Sequence, residues 1–398
     1  MDLDFMASPV PDRPGLMIRD PLHYSEATLI VPPALVECLQ FFDGEQTEGD
    51  LRVALVQLTG DLRVSELVGH LRGVLSESGF FHDAAYAGMR ERKHADFAQA
   101  DRRDAIHAGS GYPGEPDELH TTLDRYLDGS RSSLPGLAGI AAPHVSPKGG
   151  WQSYGGAYGA LGDEYRDRIF IVLGTSHYGE PDRFGLTLKP FVTPFGATIP
   201  VPEIVEKLAA EGGPAAKLED YCHAVEHSIE FQVIFLQHLY GAAIPVVPIL
   251  CGPFFHCGKG RPAEDEAVGR FLETMRALAA AEGRRLFWVM GVDMAHMGRR
   301  YGDLFSARAG SGQMQEVASA DRERLEALER GDAEAFWQAC GGVRDGLKWC
   351  GASPLYTFLT AVPGVRGVTV RYEQWNIDEH SVVSFGALAF SANGSSRM

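Results

Sequence analysis

From about residue 107 onward, short unbroken apolar runs alternate with stretches whose apolar residues recur every three or four positions. The runs at 137–142, 169–173, 245–250, 286–290, 368–372 and 382–390 predict strands. Several lack polar alternation, the pattern of strands covered on both faces. Between them, 3.6-residue periods predict helices over 154–161, 201–210, 229–240, 266–281, 319–330, 333–340 and 354–360. This alternation predicts an α/β domain with a parallel or mixed central sheet flanked by helices, spanning residues 107–398. Sheets of this kind bind ligands beyond the carboxyl ends of their strands, so chemistry is expected just after each run.

The N-terminal pattern is different. Over residues 15–85, three apolar stripes at helical spacing follow Pro32-Pro33, Thr47 and Val64. Thr47 with Asp50 three residues on has the form of a capping box. Short extended stretches at 28–31 and after Gly79 are candidates to pair, which predicts a small winged-helix-like helical module. Residues 20–85 carry eleven acids, three arginines and no lysine. A nucleic-acid reader needs the opposite sign, so the module is expected to dock a partner or to be structural. Residues 86–106, charged and alanine-rich, are expected to form a helical linker.

Composition narrows the class further. The net charge of −17 disfavours nucleic acid and anionic membrane surfaces as partners. No apolar run approaches the ~20 residues needed to span a bilayer, and the acidic N-terminus lacks the order of a signal peptide. Six cysteines without a Cys-x-x-Cys pair do not make a disulfide framework or a zinc ribbon. A cytoplasmic protein with reduced thiols is expected.

Three of the fourteen histidines follow predicted strands: His144 in Ala-Ala-Pro-His, His177 in Gly-Thr-Ser-His, and His296 in Asp-Met-Ala-His. A fourth, His227, opens a predicted helix in Glu-His-Ser-Ile-Glu. Imidazoles converging at one sheet edge would make a metal site or an acid–base site. Asp293, three residues before His296, could orient an imidazole. His223 and His227 stand four apart, a chelating spacing on a helix, unless Ser228 caps that helix and leaves His223 in the preceding loop. Glu226 and Glu230 are equally spaced; a solvated acid pair at a helix start is the plain reading, with Glu226 a candidate to support the site.

At this point the residues resemble a known family. The blocks His107-Ala-Gly-Ser-Gly-Tyr112-Pro, Ala142-Pro-His144 and Ile171-Val-Leu-Gly-Thr-Ser-His177 resemble those of the Memo family. So do Glu226-His227-Ser-Ile-Glu230-x-Gln232, Ile244-Pro-Val-Val-Pro-Ile-Leu250 and Val292-Asp293-x-x-His296-x-Gly298, in the same order. With the N-terminal module in front, the arrangement is similar to AmmeMemoRadiSam system protein B. The resemblance implies a fold like the class III extradiol dioxygenases and a metal site of Fe(II) or copper, with zinc less expected. It implies His144 and His177 as metal ligands and His227 as a third ligand or the acid–base group. It also implies an AMMECR-type protein and a radical SAM protein as partners.

Two departures stand out. The remaining ligand position, often Cys in the family, aligns with Ala295, which cannot bind metal. His227, Asp293 or His296 would then complete the coordination; Cys222, Cys251 and Cys257 are weaker thiol candidates. Lys148-Gly-Gly-Trp151 replaces a shorter turn and is expected to reshape the pocket mouth. The leading expectation is an iron- or copper-dependent oxidoreductase of unknown substrate. A non-catalytic metal- or ligand-binding scaffold is the rival, and a zinc hydrolase ranks last.

Overall fold

The structure, a computed structural model, describes residues 3–130, 133–254, 260–341 and 345–392. The chain forms two compact units, Met1–Gln99 and Ala100–Met398. Among the described residues, no helix is long and apolar enough to cross a membrane.

The first unit opens with an antiparallel sheet of β1 (Asp4–Ala7), β2 (Leu16–Arg19) and β3 (Thr28–Val31), in that order. Helices follow at Glu48–Thr59, Ser65–Glu77 and Ala84–Gln99. The capping box forms as expected: the Asp50 amide donates to Thr47 Oγ1 and the Thr47 amide donates to Asp50 Oδ2 at 2.8 Å. Leu51, Leu55 and Val68 close a small core with Cys38.

The winged-helix expectation is not supported. Its strand pairing required 28–31 to meet a strand after Gly79, but β3 pairs with β2 and no strand follows Gly79 before the helix at Ala84. Gly79 takes φ +70° and the Phe80 amide closes on the Leu75 carbonyl at 2.9 Å, so the chain turns there instead of extending. Asp83 then accepts from the Tyr86 amide at 3.0 Å and starts the next helix. That helix packs within the first unit. Tyr24 Oη lies 2.9 Å from His94 Nε2, Lys93 pairs with Glu26, and Phe97 is buried.

The second unit contains β4 (Leu137–Ala142), β5 (Ile169–Thr175), β6 (Phe184–Leu186), β7 (Val192–Thr193), β8 (Gly196–Ala197), β9 (Ile199–Pro200) and β10 (Ala216–Leu218). It continues with β11 (Pro245–Cys251), β12 (Leu286–Gly291), β13 (His296–Gly298), β14 (Arg366–Asp378) and β15 (Ser381–Ser391). Ten of these make one sheet, ordered β10-β6-β11-β5-β12-β4-β15-β13, with β14 paired to β15 and β9 to β11. The central four, β11-β5-β12-β4, are parallel, while β15 runs antiparallel to β4 and β6 antiparallel to β11. This is the mixed α/β architecture that the apolar runs predicted.

Both faces of the parallel centre are dry, which explains its unalternating sequence. Along β5, Phe170 and Val172 face a layer containing Tyr154, Tyr158 and Phe235, whose rings stack. Ile171 and Leu173 face the opposite layer with Phe271, Leu355 and Phe358. The period-2 geometry of a strand thus sends alternate apolar residues to two separate cores. Because the four strands are parallel, their carboxyl ends share one edge. His144, His177 and Asp293 all follow those ends within a few residues.

Candidate metal centre

The site begins with a close approach of backbones. β5 and β12 pair Gly174 with Gly291. A Cβ on Gly291 would lie 2.2 Å from the Ser228 carbonyl oxygen, and one on Gly174 would lie 2.5 Å from Ser228 Oγ. Two glycines side by side let the Glu226–Ile229 segment lie across the strand ends. Ser228 Oγ fastens it by donating to the Thr175 carbonyl at 2.8 Å. This crossing brings His227 over β5 and β12.

His144, His177 and His227 converge. Their ring centroids lie 4.9, 5.0 and 5.2 Å apart, with His177 and His227 stacked. His144 is buried, with Nδ1 at 2.9 Å from the Gly291 carbonyl, which leaves Nε2 facing the site. His177 sets Nδ1 against the Glu226 carboxylate at 3.0 Å, likewise leaving Nε2. A histidine anchored through one nitrogen in this way is fixed in tautomer and orientation for ligation through the other.

The third donor beside these two nitrogens is a thiol that the sequence reading did not find. Cys350 Sγ lies 3.4 Å from His144 Nε2, and one donor atom from each of His144, His177 and Cys350 lies within 4.8 Å of the others. Cys350 comes just before the Ala352–Ala361 helix, and the Gly351 amide donates to the Asp293 carbonyl at 3.1 Å. Gly351 is needed there: a Cβ would sit 2.6 Å from Val292 Cβ and 2.7 Å from the Asp293 oxygen. Ala295 is not the vacant ligand position. Its amide donates to Ser384 Oγ and its carbonyl accepts from the Ser384 amide, both at 2.9 Å, so it is a buried residue that ties the turn before β13 to β15.

The other thiol candidates fare differently. Cys222 and Cys251 are buried, and burial pushes both thiols up from their ordinary pKa, as for an inert side chain. Cys257 lies outside the described residues. Lys148–Trp151 is not a loop: it falls in the opening turns of the Pro147–Tyr158 helix, where Gly149 packs against Trp375 and Trp151 stacks on Tyr126.

Charges at the site are strongly coupled. Burial opposes charge on His144, but the Asp293 carboxylate and the Cys350 thiol outweigh it and push the imidazole up to about 9. Burial also opposes ionisation of Cys350, yet the imidazoles of His144 and His296 hold its thiol well below the ordinary range. Glu226, buried as well, is held well below the ordinary carboxylate value by His177 and His227. His227 goes the other way. Burial lowers it, and the neighbouring His177 and His144 add to that against the pull of Glu226. These shifts favour a thiolate at Cys350 and a carboxylate at Glu226, and they favour the neutral form of His227.

Glu226 is therefore no solvated acid. It is buried, accepts from the amides of His177 at 2.8 Å and His227 at 2.9 Å, and faces both imidazoles. Asp293 Oδ1 accepts from the amides of His144 and Val145, and Oδ2 lies 3.5 Å from His144 Nε2. It is the carboxylate nearest the His144–Cys350 pair. Glu230 is also buried. It pairs with Arg103 and accepts from the Tyr112 hydroxyl and the His107 amide. Arg103 in turn donates to the carbonyls of His223 and Glu226, each at 2.9 Å.

Two predicted site histidines are not ligands: His223 lies away from the cluster, and His296 stands beside Cys350. The His223–His227 chelate does not form, because the Cys222–Val225 helix ends where Glu226 turns extended at ψ 137°. Ser228 is not a helix cap either, since its hydroxyl goes to β5. His223 is buried with Nε2 at 3.0 Å from the Gly185 carbonyl, and burial lowers it to about 4. His296 places Nδ1 against the carbonyls of Met294 and Lys348, so it buttresses the turn that leads to Cys350. His107, unassigned from sequence, sets its ring 5.7 Å from that of His227.

A cavity of about 370 Å³ opens beside the thiol, lined by His177, Cys350, Cys251, Phe254, Trp337 and Trp349. His144, His177 and Cys350 form a compact N/N/S donor set, and His177, Glu226 and His227 form a second overlapping group. The imidazole–thiolate group suits copper, zinc or iron, whereas the two-His-one-carboxylate donor types of Fe(II) oxygenases occur in the second group, His177, Glu226 and His227.

Comparison with known proteins finds relatives that share much of the second unit's sequence. A MEMO1 family protein of Aquifex aeolicus is 25% identical over 321 residues, covering 80% of each chain. One from Pyrococcus furiosus is 30% identical over 215 residues, covering 52% of this chain and 70% of its own. One from Thermococcus kodakarensis is 29% identical over 212 residues, covering 51% and 68%. A solved structure of an uncharacterized Escherichia coli K12 protein matches 63% of this chain and 99% of its own at 16% identity, with a TM-score of 0.39 that is too low to bear on the argument. The family model described as Memo-like protein matches residues 103–389, from the buried Arg103 through the last strand and across the whole imidazole–thiol site, and the chain belongs to that family.

Proposed function

We propose that the second unit is a metal-dependent oxidoreductase that holds one iron or copper ion through His144 Nε2, His177 Nε2 and Cys350 Sγ, with Asp293 beside them. The convergence of two pre-oriented imidazoles with a thiol held in its thiolate form carries this reading. When bound, such an ion would supply one-electron chemistry and an open position for an oxygen donor. His227 is the proton-handling group. Burial in the cluster favours its neutral form, Glu226 backs it, and it could accept a proton from a hydroxyl of a substrate that reaches past His177 to the imidazole cluster. Trp337, Trp349 and Phe254 give the cavity beside the thiol aromatic walls, which favours a flat apolar or aromatic substrate. A thiolate where a dioxygenase would hold a carboxylate argues against ring cleavage as such and toward another redox reaction.

The rival reading is a metal-binding scaffold working with AMMECR-type and radical SAM partners. The separate compact N-terminal unit, strongly acidic in sequence, supports it as a docking element. Elemental analysis of the full chain, purified anaerobically without added metal, tests the main proposal. About one iron or copper ion per chain is expected, lost in His144→Ala/His177→Ala and strongly reduced in Cys350→Ser. No metal in the parent protein, or content unchanged in the variants, would overturn it.

A further inference from the structure

A second group of metal-ligating side chains lies well away from the imidazole–thiol site. His120 and Asp124 are one turn apart on the Pro116–Leu127 helix, and His238 lies on the last turn of the Glu230–Tyr240 helix. That places His238 about 12 Å along its helix from Glu230, at the end away from His227, and the two clusters share no ligand. Asp124 lies between the imidazoles, with Oδ2 at 3.3 Å from His120 Nδ1 and Oδ1 at 3.2 Å from His238 Nε2. The two rings are 4.6 Å apart and nearly perpendicular, and the three donor atoms lie within 4.8 Å of one another.

These separations are wider than the roughly 2.7–2.9 Å of a charge-assisted hydrogen bond. Each imidazole faces a different oxygen of the one carboxylate, and the three donor atoms lie close enough for a small inward shift of the exposed pair to gather them around one ion bonded at about 2.0–2.1 Å. His238 is almost fully buried, and the Phe195 ring flanks both imidazoles at 6.0 and 6.2 Å, so one side of the cluster is fixed and apolar. His120 and Asp124 are more than half exposed, which leaves the solvent side open for a fourth ligand. The i, i+4 spacing puts these two donors on one helix face without rearrangement.

We propose that His120, Asp124 and His238 form a second divalent-cation site of the zinc class, with water as the fourth ligand, that staples the Pro116–Leu127 helix to the Glu230–Tyr240 helix. Two imidazoles and one carboxylate suit zinc and give no redox function, so the site is structural. The stapled helix begins just after the His107–Tyr112 segment that seats on Glu230, so the ion would also steady that wall of the imidazole–thiol site.

The test uses the full chain with the first site disabled by His144→Ala/His177→Ala, which removes the ligand that its two overlapping groups share, titrated with Zn²⁺ alone by calorimetry and equilibrium dialysis. One Zn²⁺ per chain is expected, weakened by roughly tenfold or more when His120→Ala or Asp124→Asn is added. Both positions are exposed, so the fold is not at risk. Added Zn²⁺ should raise the thermal midpoint in the disabled parent and not in the His120→Ala version, and Co²⁺ should give the absorption of a tetrahedral site only in the former. Absence of zinc binding in the disabled parent, or binding unaffected by both substitutions, would overturn the proposal.

Discussion

Replacing Glu230 by Ala should cost the second unit far more than an average substitution. Arg103 and Glu230 are 1% and 0% exposed in their side chains, so the ion pair is fully removed from water. Truncating Glu230 leaves a buried guanidinium without its counter-charge, takes the acceptor from the Tyr112 hydroxyl, and frees the His107 amide. Breaking a buried pair on one side costs about 3–5 kcal/mol. At roughly 2 °C per kcal/mol for a unit of this size, the thermal midpoint should fall by about 6–10 °C. Arg103→Ala should cost a similar amount, because it strands the Glu230 charge and the carbonyls of His223 and Glu226. The double variant should cost clearly less than the sum, since neither charge is then left alone. Urea melts of the four proteins measure this cycle. A loss below about 1 kcal/mol for Glu230→Ala, or two single effects that simply add, would refute the reasoning.

Other substitutions probe the site itself. Glu226→Gln keeps the shape but removes the charge that backs His177 and His227, and should weaken metal binding by about 10–100-fold in a chelator competition; unchanged affinity would mean that Glu226 does not tune the ligands. Gly351→Ala pushes a Cβ against the Val292–Asp293 backbone, should cost about 1–3 kcal/mol and should displace Cys350, so metal content falls with stability. His223 is neutral and buried, with its pKa lowered from 6.5 to about 4. The folded state thus resists a proton that the unfolded state accepts below pH 6.5. Stability should be full above that pH and decline by about 3 kcal/mol as pH falls to about 4. Urea melts at pH 7.5, 6, 5 and 4.5 should show a flatter decline for His223→Gln, and equal slopes would show that another group sets the acid limit.

Much of the fold was legible because the information is local. The central strands announce themselves as unbroken apolar runs, since a strand buried on both faces has no polar side to display. The structure extends β5 and β12 past their apolar runs through Gly174 and Gly291 because the ladder continues where strand propensity does not. In the N-terminal unit the helical stripes were readable, but pairing was not. Thr28–Val31 is extended in either arrangement, and only the turn at Gly79 decides that β2 is its partner.

His144, His177 and His227 were legible as a site because each is tied to the end of a predicted element, and parallel strands deliver their ends to one edge. That placement follows from the sequence through the period of its apolar residues and the chirality of parallel connections. What only the tertiary structure decided is which side chains complete the cluster. Cys350 meets His144 across a separation of 206 residues, because helix packing brings Gly351 onto the Asp293 turn. Glu226 and Glu230 share the spacing of a solvated pair, yet long-range contacts with His177 and Arg103 bury both. His223 and His296 carry the same imidazole as the site residues but spend it on backbone carbonyls, since a single extended residue or a neighbouring turn reorients each ring. Local patterning sets where the chain runs; which polar groups meet depends on packing between distant segments, and their charges have no partner until that packing exists.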